Sequence, residues 1–178
     1  MHVILETSRL MLREMTMRDT KAIASILQDE QTMYAYEHAF SDQEVKDWIT
    51  HQIIRYQKDG FGLWAVVLKE TGEVIGQCGI TMQKIPGKEV PEIGYLLNRN
   101  HWHQGFAIEA ASACRVYAFK QLEFDEVYSI IRENNIASRN VALNNSMEVR
   151  GKFTKHYYDI EMPHLIYSAR KKDFIKNA

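Results

Sequence analysis

The sequence predicts an α/β fold built on one mixed β-sheet of about six to seven strands, with helices on both faces. Two observations lead to this prediction. The elements follow the order β α α β β β α β α β β, so that groups of strands alternate with helices. The unit at residues 90–132 also places a helix between two apolar strands, which requires a parallel crossover. Short turns between other strands favour antiparallel pairs, so the sheet is mixed.

The first third of the chain is predicted to be one strand followed by two helices. Residues 8–14 alternate apolar and charged side chains, as a half-buried strand does. A helix is expected to open at residues 17–19, with Asp19 as its cap. Ser41 and Glu44 have the spacing of a capping box, which predicts the start of a second helix that continues to Gly60.

The middle third is predicted to contain a hairpin, a further strand and the central helix. Apolar segments at 63–69 and 73–82 flank a turn that contains Gly72, and this favours antiparallel pairing. Pro86 and Gly87 mark the next turn. The strand at 90–97 and the helix at about 105–121 follow.

The last third is predicted to contain three strands around one short helix. The helix is expected after residues 134–138, and the strands at 126–132, 151–158 and 163–170. Residues 171–178 are expected to form a frayed tail, because their sequence is polar and terminal. The length favours a single domain over residues 1–178.

Composition excludes several classes of protein. A net charge of −1 and a pI near 6.7 give no general attraction to nucleic acid or to anionic membranes. No apolar run approaches the ~18 to 20 residues of a membrane helix, and no secretory pattern precedes Ser8. Cys78 and Cys114 lie in apolar segments, which favours buried reduced thiols. We therefore expect a cytoplasmic protein without nucleic-acid or membrane partners.

The segment most suited to chemistry is the turn Trp102-His103-Gln104-Gly105-Phe106-Ala107, between the strand at 90–97 and the central helix. The N–H groups at a helix start lack intrahelical partners, and the helix dipole favours an anion there. The turn lacks the three glycines of a dinucleotide fingerprint and the Gly-Lys-Ser/Thr of a P-loop. Gly105 and the small Ala107 still allow a pyrophosphate to approach the backbone. A glycine that merely caps a helix gives the same pattern.

This turn resembles motif A of the GNAT superfamily of N-acetyltransferases, which reads Gln/Arg-x-x-Gly-x-Gly/Ala. Trp102 holds the first position, Gly105 the fourth and Ala107 the sixth. The tryptophan departs from the general pattern and is typical of the subfamily similar to the ribosomal-protein N-terminal acetyltransferases RimJ and RimL. Further similar segments span nearly the whole chain: Thr7-Ser8-Arg9-Leu10, Gly72-Glu73-Val74-Ile75-Gly76, Glu92-Ile93-Gly94-Tyr95 and Asn135-Ile136-Ala137-Ser138. Their order and spacing together indicate a GNAT-like fold.

The resemblance implies that acetyl-CoA is the phosphorylated ligand, used as a co-substrate and without a metal. Its pyrophosphate is expected on the backbone N–H groups of Gln104, Gly105, Phe106 and Ala107. Its pantetheine arm is expected along the backbone of Leu96, Leu97 and Asn98, beside a bulge where this strand splays from its parallel neighbour. Asn135 and Ser138 are expected to hold the arm from the later helix. Arg99 and Arg139 are either phosphate contacts or solvated surface arginines.

Two residues are candidates for acid–base chemistry. Glu92 is the candidate base, because burial on the strand beside the cofactor would raise the pKa of its carboxyl toward a useful value. The alternative is a structural glutamate in a salt bridge. Ser138 is the candidate proton donor to the sulfur, although Asn135 and Ser138 also fit plain N-capping. Tyr95 and Tyr128 are expected to pack rather than to act as acids.

The acceptor side of the site is less well defined by the sequence. Tyr34 and Glu37 lie in the aromatic connection that forms one wall of the acceptor site in the family, where Glu37 would attract a cationic amine. The same connection is equally expected as a lid that packs on the following helix. His101 and His103 lack a third ligand nearby, so exposed turn histidines are favoured over a metal site.

The predicted function is acetyl transfer from acetyl-CoA to a primary amine, on a protein or peptide N-terminus or on a small molecule. Two alternatives remain open: a non-catalytic acyl-CoA-binding regulatory module, and an interaction domain in which the turn is only a helix cap. A homodimer through the terminal strands is also open.

Overall fold

A computed structural model describes residues 2–157 and 160–176 of the chain. These residues form one eight-stranded sheet in the order β1-β2-β3-β4-β5-β6-β8-β7. The strands are β1 (Val3–Glu6), β2 (Leu10–Arg13), β3 (Leu63–Leu68), β4 (Val74–Ile85), β5 (Lys88–Leu97), β6 (Glu126–Arg132), β7 (Glu148–Tyr157) and β8 (Ile160–Arg170). The helices are α1 (Thr20–Leu27), α2 (Asp42–Asp59), α3 (Phe106–Lys120), α4 (Ile136–Asn144) and α5 (Lys171–Lys176). Neighbouring strands are antiparallel except β5 and β6, which are parallel as predicted.

The sheet has eight strands rather than the six to seven predicted. The strand that the prediction omitted is β1, which is four residues long and therefore shows no clear alternation. It pairs with β2 across a register shift between Val3 and Leu5. β1 and β7 are the two edges of the sheet, and a homodimer through the terminal strands stays a prediction.

Helices cover both faces of the sheet, as predicted. Alternate residues of β3 point in opposite directions, so Trp64 and Val66 pack in one hydrophobic cluster and Leu63 and Ala65 in another. The first cluster contains the apolar side of α3, and the second contains that of α1 and α2. The sheet therefore separates two cores.

The two predicted helix starts differ in outcome. Ser41 and Glu44 form the expected capping box at α2. Asp19 occupies the N-cap position of α1 but makes no side-chain capping bond to that helix, because its carboxylate accepts two hydrogen bonds from the buried Arg13 guanidinium, at 2.8 and 2.7 Å. Thr16 caps the 3-10 turn at residues 17–19 instead. A charged partner on the neighbouring strand thus decided the role of Asp19.

The C-terminal segment is helical where a frayed tail was predicted. Phe174 of α5 packs on Phe119 with ring centroids 5.7 Å apart, and the Arg115 guanidinium lies 5.4 Å from the Phe174 ring. One aromatic anchor therefore holds a segment whose other residues are mainly polar. The predicted strand end at Tyr158 and the last residues, 177–178, lie outside the described residues.

Candidate active site

The candidate site lies where β5 and β6 diverge. β5 pairs with β4 along all ten of its residues, but its register with β6 is limited to Glu92 and Tyr128. Two side chains bridge the fork: Ser129 Oγ donates to the Ile93 carbonyl (2.8 Å), and Glu92 Oε1 accepts from the Ile130 N–H (3.0 Å). Beyond these bridges the strands separate and leave a cleft. The β4–β5 register has no shift, so the expected bulge is absent from that pairing and the splay alone opens the cleft.

Glu92 is half-buried at the apex of this fork. Burial raises the pKa of its carboxyl from 4.5 to about 7, against the opposing effects of the Ile130 N–H and of the charges on Lys155 and Arg55. A carboxyl with a pKa near neutrality can accept and release a proton at physiological pH, which is what a general base requires. The fold thus puts the predicted base in the cleft, and its catalytic role stays a prediction.

Only alternate residues of β5 turn their backbone groups toward the cleft. The Asn98 N–H donates to the Ile75 carbonyl of β4 (2.9 Å), and in an antiparallel ladder every second residue bonds to the same neighbour. Leu96 therefore also faces β4, and the cleft edge is formed by Tyr95 and Leu97. The Leu97 carbonyl accepts a hydrogen bond from Trp102 Nε1 (2.9 Å). The backbone N–H of Leu97 is therefore the group of this residue that can bind a ligand in the cleft. The prediction is corrected for Leu96 and Asn98, whose backbone groups are engaged elsewhere.

The turn that precedes α3 presents a row of unpaired donors. Among residues 2–157 and 160–176, no acceptor lies within hydrogen-bond range of the backbone N–H groups of residues 103–108. Gly105 has a φ of +80°, a left-handed conformation that glycine adopts without strain. These donors lie at the N-terminus of α3, where the helix dipole adds positive potential. The geometry is that of an anion cradle.

A brace from the N-terminal segment holds this turn. The Arg9 guanidinium donates to Glu109 Oε2 (2.7 Å) and to the Gln104 carbonyl (2.9 Å), and it lies 4.3 Å from the Phe106 ring. Thr7 Oγ1 and the Arg9 N–H also donate to Glu109 Oε1, at 2.5 and 3.0 Å. Partial burial opposes ionisation of Glu109, but these hydrogen bonds lower the pKa of its carboxyl on balance. Two motifs that are far apart in the sequence therefore form one unit, with a cation beside the cradle.

The start of α4 closes the cleft from the other side. Asn135 Oδ1 accepts from the Ser138 N–H (3.1 Å) and from the Tyr34 hydroxyl (2.7 Å), and the Tyr95 hydroxyl donates to the Ser138 carbonyl (2.6 Å). The N-capping role of Asn135 is therefore confirmed. Its amide nitrogen and the Ser138 hydroxyl have no hydrogen-bond partner within the part of the chain that the structure describes. Their roles toward a cofactor stay predictions.

One cavity of about 1030 Å³ connects these groups. Most of the predicted site residues line it: Tyr34, Glu37, Glu92, Leu96, Leu97, Gly105, Phe106, Ala107, Asn135 and Ser138. Asn98 and Gln104 do not, because Asn98 is turned toward β4 and Gln104 is exposed at the outer end of the turn. Glu37 is exposed on the α1–α2 connection.

Sequence reasoning missed several residues of the cavity wall. Arg55 of α2, Lys155 of β7 and the buried His164 of β8 line the cavity beside Glu92. Each is a single basic residue with no motif around it, so no local signal could have identified it. The segment that contains Arg9 was recognised from the sequence, but the positive charge that its guanidinium places beside the turn was not predicted.

Other candidates have partners outside the cleft. The exposed Arg99 donates to Gln31 Oε1 (2.6 Å), and Arg139 donates to the Tyr167 hydroxyl (3.1 Å). His101 lies 3.4 Å from Glu73, and among the described residues no group of three metal-ligating side chains occurs. Cys78 and Cys114 are buried and free, as predicted, with their Sγ atoms 3.6 Å apart. Over the described residues, no helix combines the length and apolarity needed to cross a membrane.

The domain family described as acetyltransferase (GNAT) matches residues 9–148, which is more than half of the chain. The chain belongs to the GNAT acetyltransferase family. Among relatives, it is 36% identical over 139 residues to the uncharacterised protein YkkB of Bacillus subtilis (strain 168), covering 78% of this chain and 81% of YkkB. It is 30% identical to the uncharacterised N-acetyltransferase YoaA of the same organism, over 92% of this chain and 93% of YoaA. The predicted enzyme class, an acetyltransferase, is thereby confirmed.

Solved structures of GNAT acetyltransferases have the same fold. A GNAT-family acetyltransferase from Bacillus anthracis superposes with a TM-score of 0.81 at 22% identity, over 94% of this chain and 98% of that one. RimL, a ribosomal L7/L12 α-N-protein acetyltransferase solved in complex with coenzyme A, gives a TM-score of 0.77 at 15% identity, over 95% and 98% of the two chains. The likeness to RimL supports the subfamily resemblance at the level of the fold. GNAT folds bind acetyl-CoA, and the unpaired donors of residues 103–108 fit its pyrophosphate.

Proposed function

We propose that this chain transfers an acetyl group from acetyl-CoA to a primary amine, on a peptide N-terminus or on a small molecule, by direct attack of the amine on the thioester. The observation that carries the proposal is the Glu92 carboxyl. It lies at the apex of the cleft, it has a pKa of about 7, and it shares one cavity with the anion cradle. A proton acceptor and a phosphate site in one cavity are what this reaction needs.

Residues of this chain suggest how acetyl-CoA would be held. The N–H groups of residues 103–108 would bind the pyrophosphate, with the Arg9 guanidinium nearby. The Tyr95 and Leu97 edge of β5 would bind the pantetheine arm as a neighbouring strand does. The Asn135 amide nitrogen would add a hydrogen bond from α4. When bound, acetyl-CoA supplies an activated acyl carbon and a sulfur leaving group.

The proton transfers fall to two side chains. The Glu92 carboxylate takes a proton from the acceptor ammonium, directly or through a water molecule, and leaves a neutral amine. The amine nitrogen then forms a bond to the acyl carbon as the carbon–sulfur bond breaks. A backbone N–H at the open edge of β5 would polarise the thioester carbonyl during this attack. The Ser138 hydroxyl, which lines the cavity, would give a proton to the sulfur and recover one from the new amide nitrogen as that nitrogen loses its second proton. Glu92 would release its own proton to water.

Two measurements on the purified protein test the proposal. Acetyl-CoA should raise the melting temperature, because a ligand at 100 times its Kd stabilises the native state by about 2.7 kcal/mol. A thiol-release assay with acetyl-CoA should then show turnover with at least one amine in a panel of amino acids, polyamines, aminoglycosides and peptides with varied N-termini. Stabilisation without thiol release on any amine would favour a non-catalytic CoA-binding module. No stabilisation at millimolar acetyl-CoA would overturn the proposal.

A further inference from the structure

The wall of the cavity has an excess of positive charge. Besides the histidines, three basic side chains line the cavity: Arg55, Arg132 and Lys155. The carboxylates among the described lining residues are Glu92 at the apex and Glu37, which is exposed at the rim. The wall of the candidate acceptor site is therefore cationic around the proposed base.

These three cations are among the basic side chains for which the described part of the chain supplies no carboxylate partner. Elsewhere Arg9 pairs with Glu109 (2.7 Å), Arg13 with Asp19 (2.7 Å) and Lys152 with Glu133 (3.0 Å). Within the described part of the chain, no carboxylate lies within 4.0 Å of a charged nitrogen of Arg55, Arg132 or Lys155. Arg55 donates to Gln52 Oε1 (3.2 Å) and Arg132 to the Tyr34 carbonyl (3.5 Å), both neutral acceptors.

Two neighbouring groups show that this positive charge extends into the cavity. Burial lowers the pKa of the His164 imidazole, and the charges on Lys155 and Arg132 lower it further. The charges on Lys155 and Arg55 likewise oppose the effect of burial on the Glu92 carboxyl. Both charges are therefore close enough to act on the proposed base. Lys155 and Arg55 are half-buried, so water screens them incompletely.

We propose that the acceptor is a primary amine that itself carries an anionic group, as an amino acid does, and that Arg55 and Lys155 bind this group while Glu92 faces the amine. The proposal rests on the acetyl-transfer function and names its substrate class. An ammonium beside Glu92 and a carboxylate between Arg55 and Lys155 would leave both ends of the acceptor paired. A polyamine or aminoglycoside would place further positive charge against these side chains, which is unfavourable.

The position of Arg55 would distinguish short acceptors from long ones. It lines a second groove of about 430 Å³, together with residues of α2, Met82 and Glu89, so it stands at the mouth of the main cavity. A free amino acid would reach Arg55 from inside the cavity. A peptide N-terminus would need an acidic side chain to do so, and it would continue into the outer groove.

A binding experiment tests the proposal independently of turnover. The CoA-loaded protein is melted with common L-amino acids, with their α-carboxamides, with spermidine, and with dipeptides that differ in whether the second residue is acidic. We expect higher melting temperatures with at least one carboxylate ligand than with its matched amide, and no shift with spermidine. Acidic dipeptides that bind more tightly than free amino acids would identify a peptide as the source of the anion.

Charge-neutral variants then assign the effect to the cavity. Arg55→Gln and Lys155→Gln should each weaken binding of the anionic ligand by about tenfold, while the matched amide is unaffected. Lys46→Gln on α2 and Lys152→Gln on β7 are matched controls outside the cavity lining and should leave binding unchanged. In the thiol-release assay the same substitutions should raise KM for the anionic amine, and Lys155→Glu should shift the preference toward cationic amines.

The outcomes separate this inference from the function it rests on. Selective binding of anionic amines without any acetyl transfer would defeat the proposed reaction and leave the anion site standing. Acetyl transfer to amides or polyamines as efficiently as to acids, or equal affinities in the Arg55 and Lys155 variants, would overturn the anionic acceptor.

Discussion

The two halves of the cleft are built from different parts of the chain. The proposed cofactor half consists of backbone N–H groups in one contiguous turn, residues 103–108, with the edge of β5 beside them. The proposed acceptor half consists of side chains such as Glu92, Arg55 and Lys155, which come from three separate elements. Backbone donors are present whatever the side chain, so local geometry alone sets the first half. Each side chain of the second half can change independently, which explains how one fold can serve different amines.

The largest expected effect tests the acceptor half at its apex. Glu92→Gln should lower kcat by about 100-fold or more, because an amide cannot accept the proton of the ammonium. In the unchanged enzyme kcat/KM should rise with pH and level off above about 7, where the Glu92 carboxyl is ionised, and the variant should lose this dependence. Affinity for acetyl-CoA should stay nearly the same. Steady-state kinetics across pH and calorimetric titration with CoA measure these quantities.

Glu70→Gln in the turn between β3 and β4 is the control, since Glu70 is exposed and lines neither the cavity nor the groove beside Arg55. A structural role of Glu92 would appear instead as loss of CoA binding. The stability of the two proteins gives a further check. Because the pKa of Glu92 is raised from 4.5 to about 7, the folded state holds this proton more tightly than the unfolded chain does. Unfolding free energy should therefore fall as pH rises through that interval, and less so in Glu92→Gln.

The second prediction concerns the cofactor half, where backbone geometry matters. Gly105 and Gly87 have similar left-handed conformations, with φ of +80° and +82°, but only Gly105 lies in the cradle. An alanine at either position should cost about 1 kcal/mol of stability. Gly105→Ala should in addition weaken acetyl-CoA binding by about tenfold, because the turn must relax and misalign its donors. Chemical denaturation and CoA titration of both variants check this, and equal CoA affinities would contradict a backbone cradle.

A smaller effect is expected from the brace that holds the turn. Arg9→Ala removes the bonds to Glu109 and to the Gln104 carbonyl, together with a positive charge beside the cradle. Acetyl-CoA binding should weaken by about fivefold. Arg18→Ala, an exposed arginine of the 17–19 turn, is the control. A fall in stability with unchanged CoA affinity would reduce the brace to a packing contact.

The smallest effect is expected where the two halves meet at Asn135. Asn135→Ala removes the acceptor of the Ser138 N–H and should cost about 1 kcal/mol of stability. Asn135→Asp keeps that acceptor and the stability. Both variants should raise KM for acetyl-CoA by about twofold if the amide nitrogen binds pantetheine. An unchanged KM in Asn135→Asp would restrict Asn135 to capping.

Much of the fold could be predicted because its signals are local. The capping box of Ser41 and Glu44 specified a helix start, and the apolar residues within 126–132 specified a buried strand. The carboxylate of Asp19 does not make the expected capping bond to α1 because its partner, Arg13, belongs to another element. The C-terminal helix was missed because contacts with residues distant in the sequence, such as that between Phe174 and Phe119, hold it. In both cases a contact outside the local sequence overrode the local pattern.

The sequence by itself determined the turn at residues 103–108 of this protein. A glycine turn between a strand and a helix leaves unpaired N–H groups wherever it occurs, since that geometry follows from consecutive backbone dihedrals. Only the tertiary structure decided which residues of β5 face the cleft, because the pairing with β4 fixes which alternate residues direct their backbone groups away from β4. It also brought Arg55 and Lys155, 100 positions apart, to the same carboxyl of Glu92. Charges from separate elements act on one another through distance in space, which no spacing along the chain encodes.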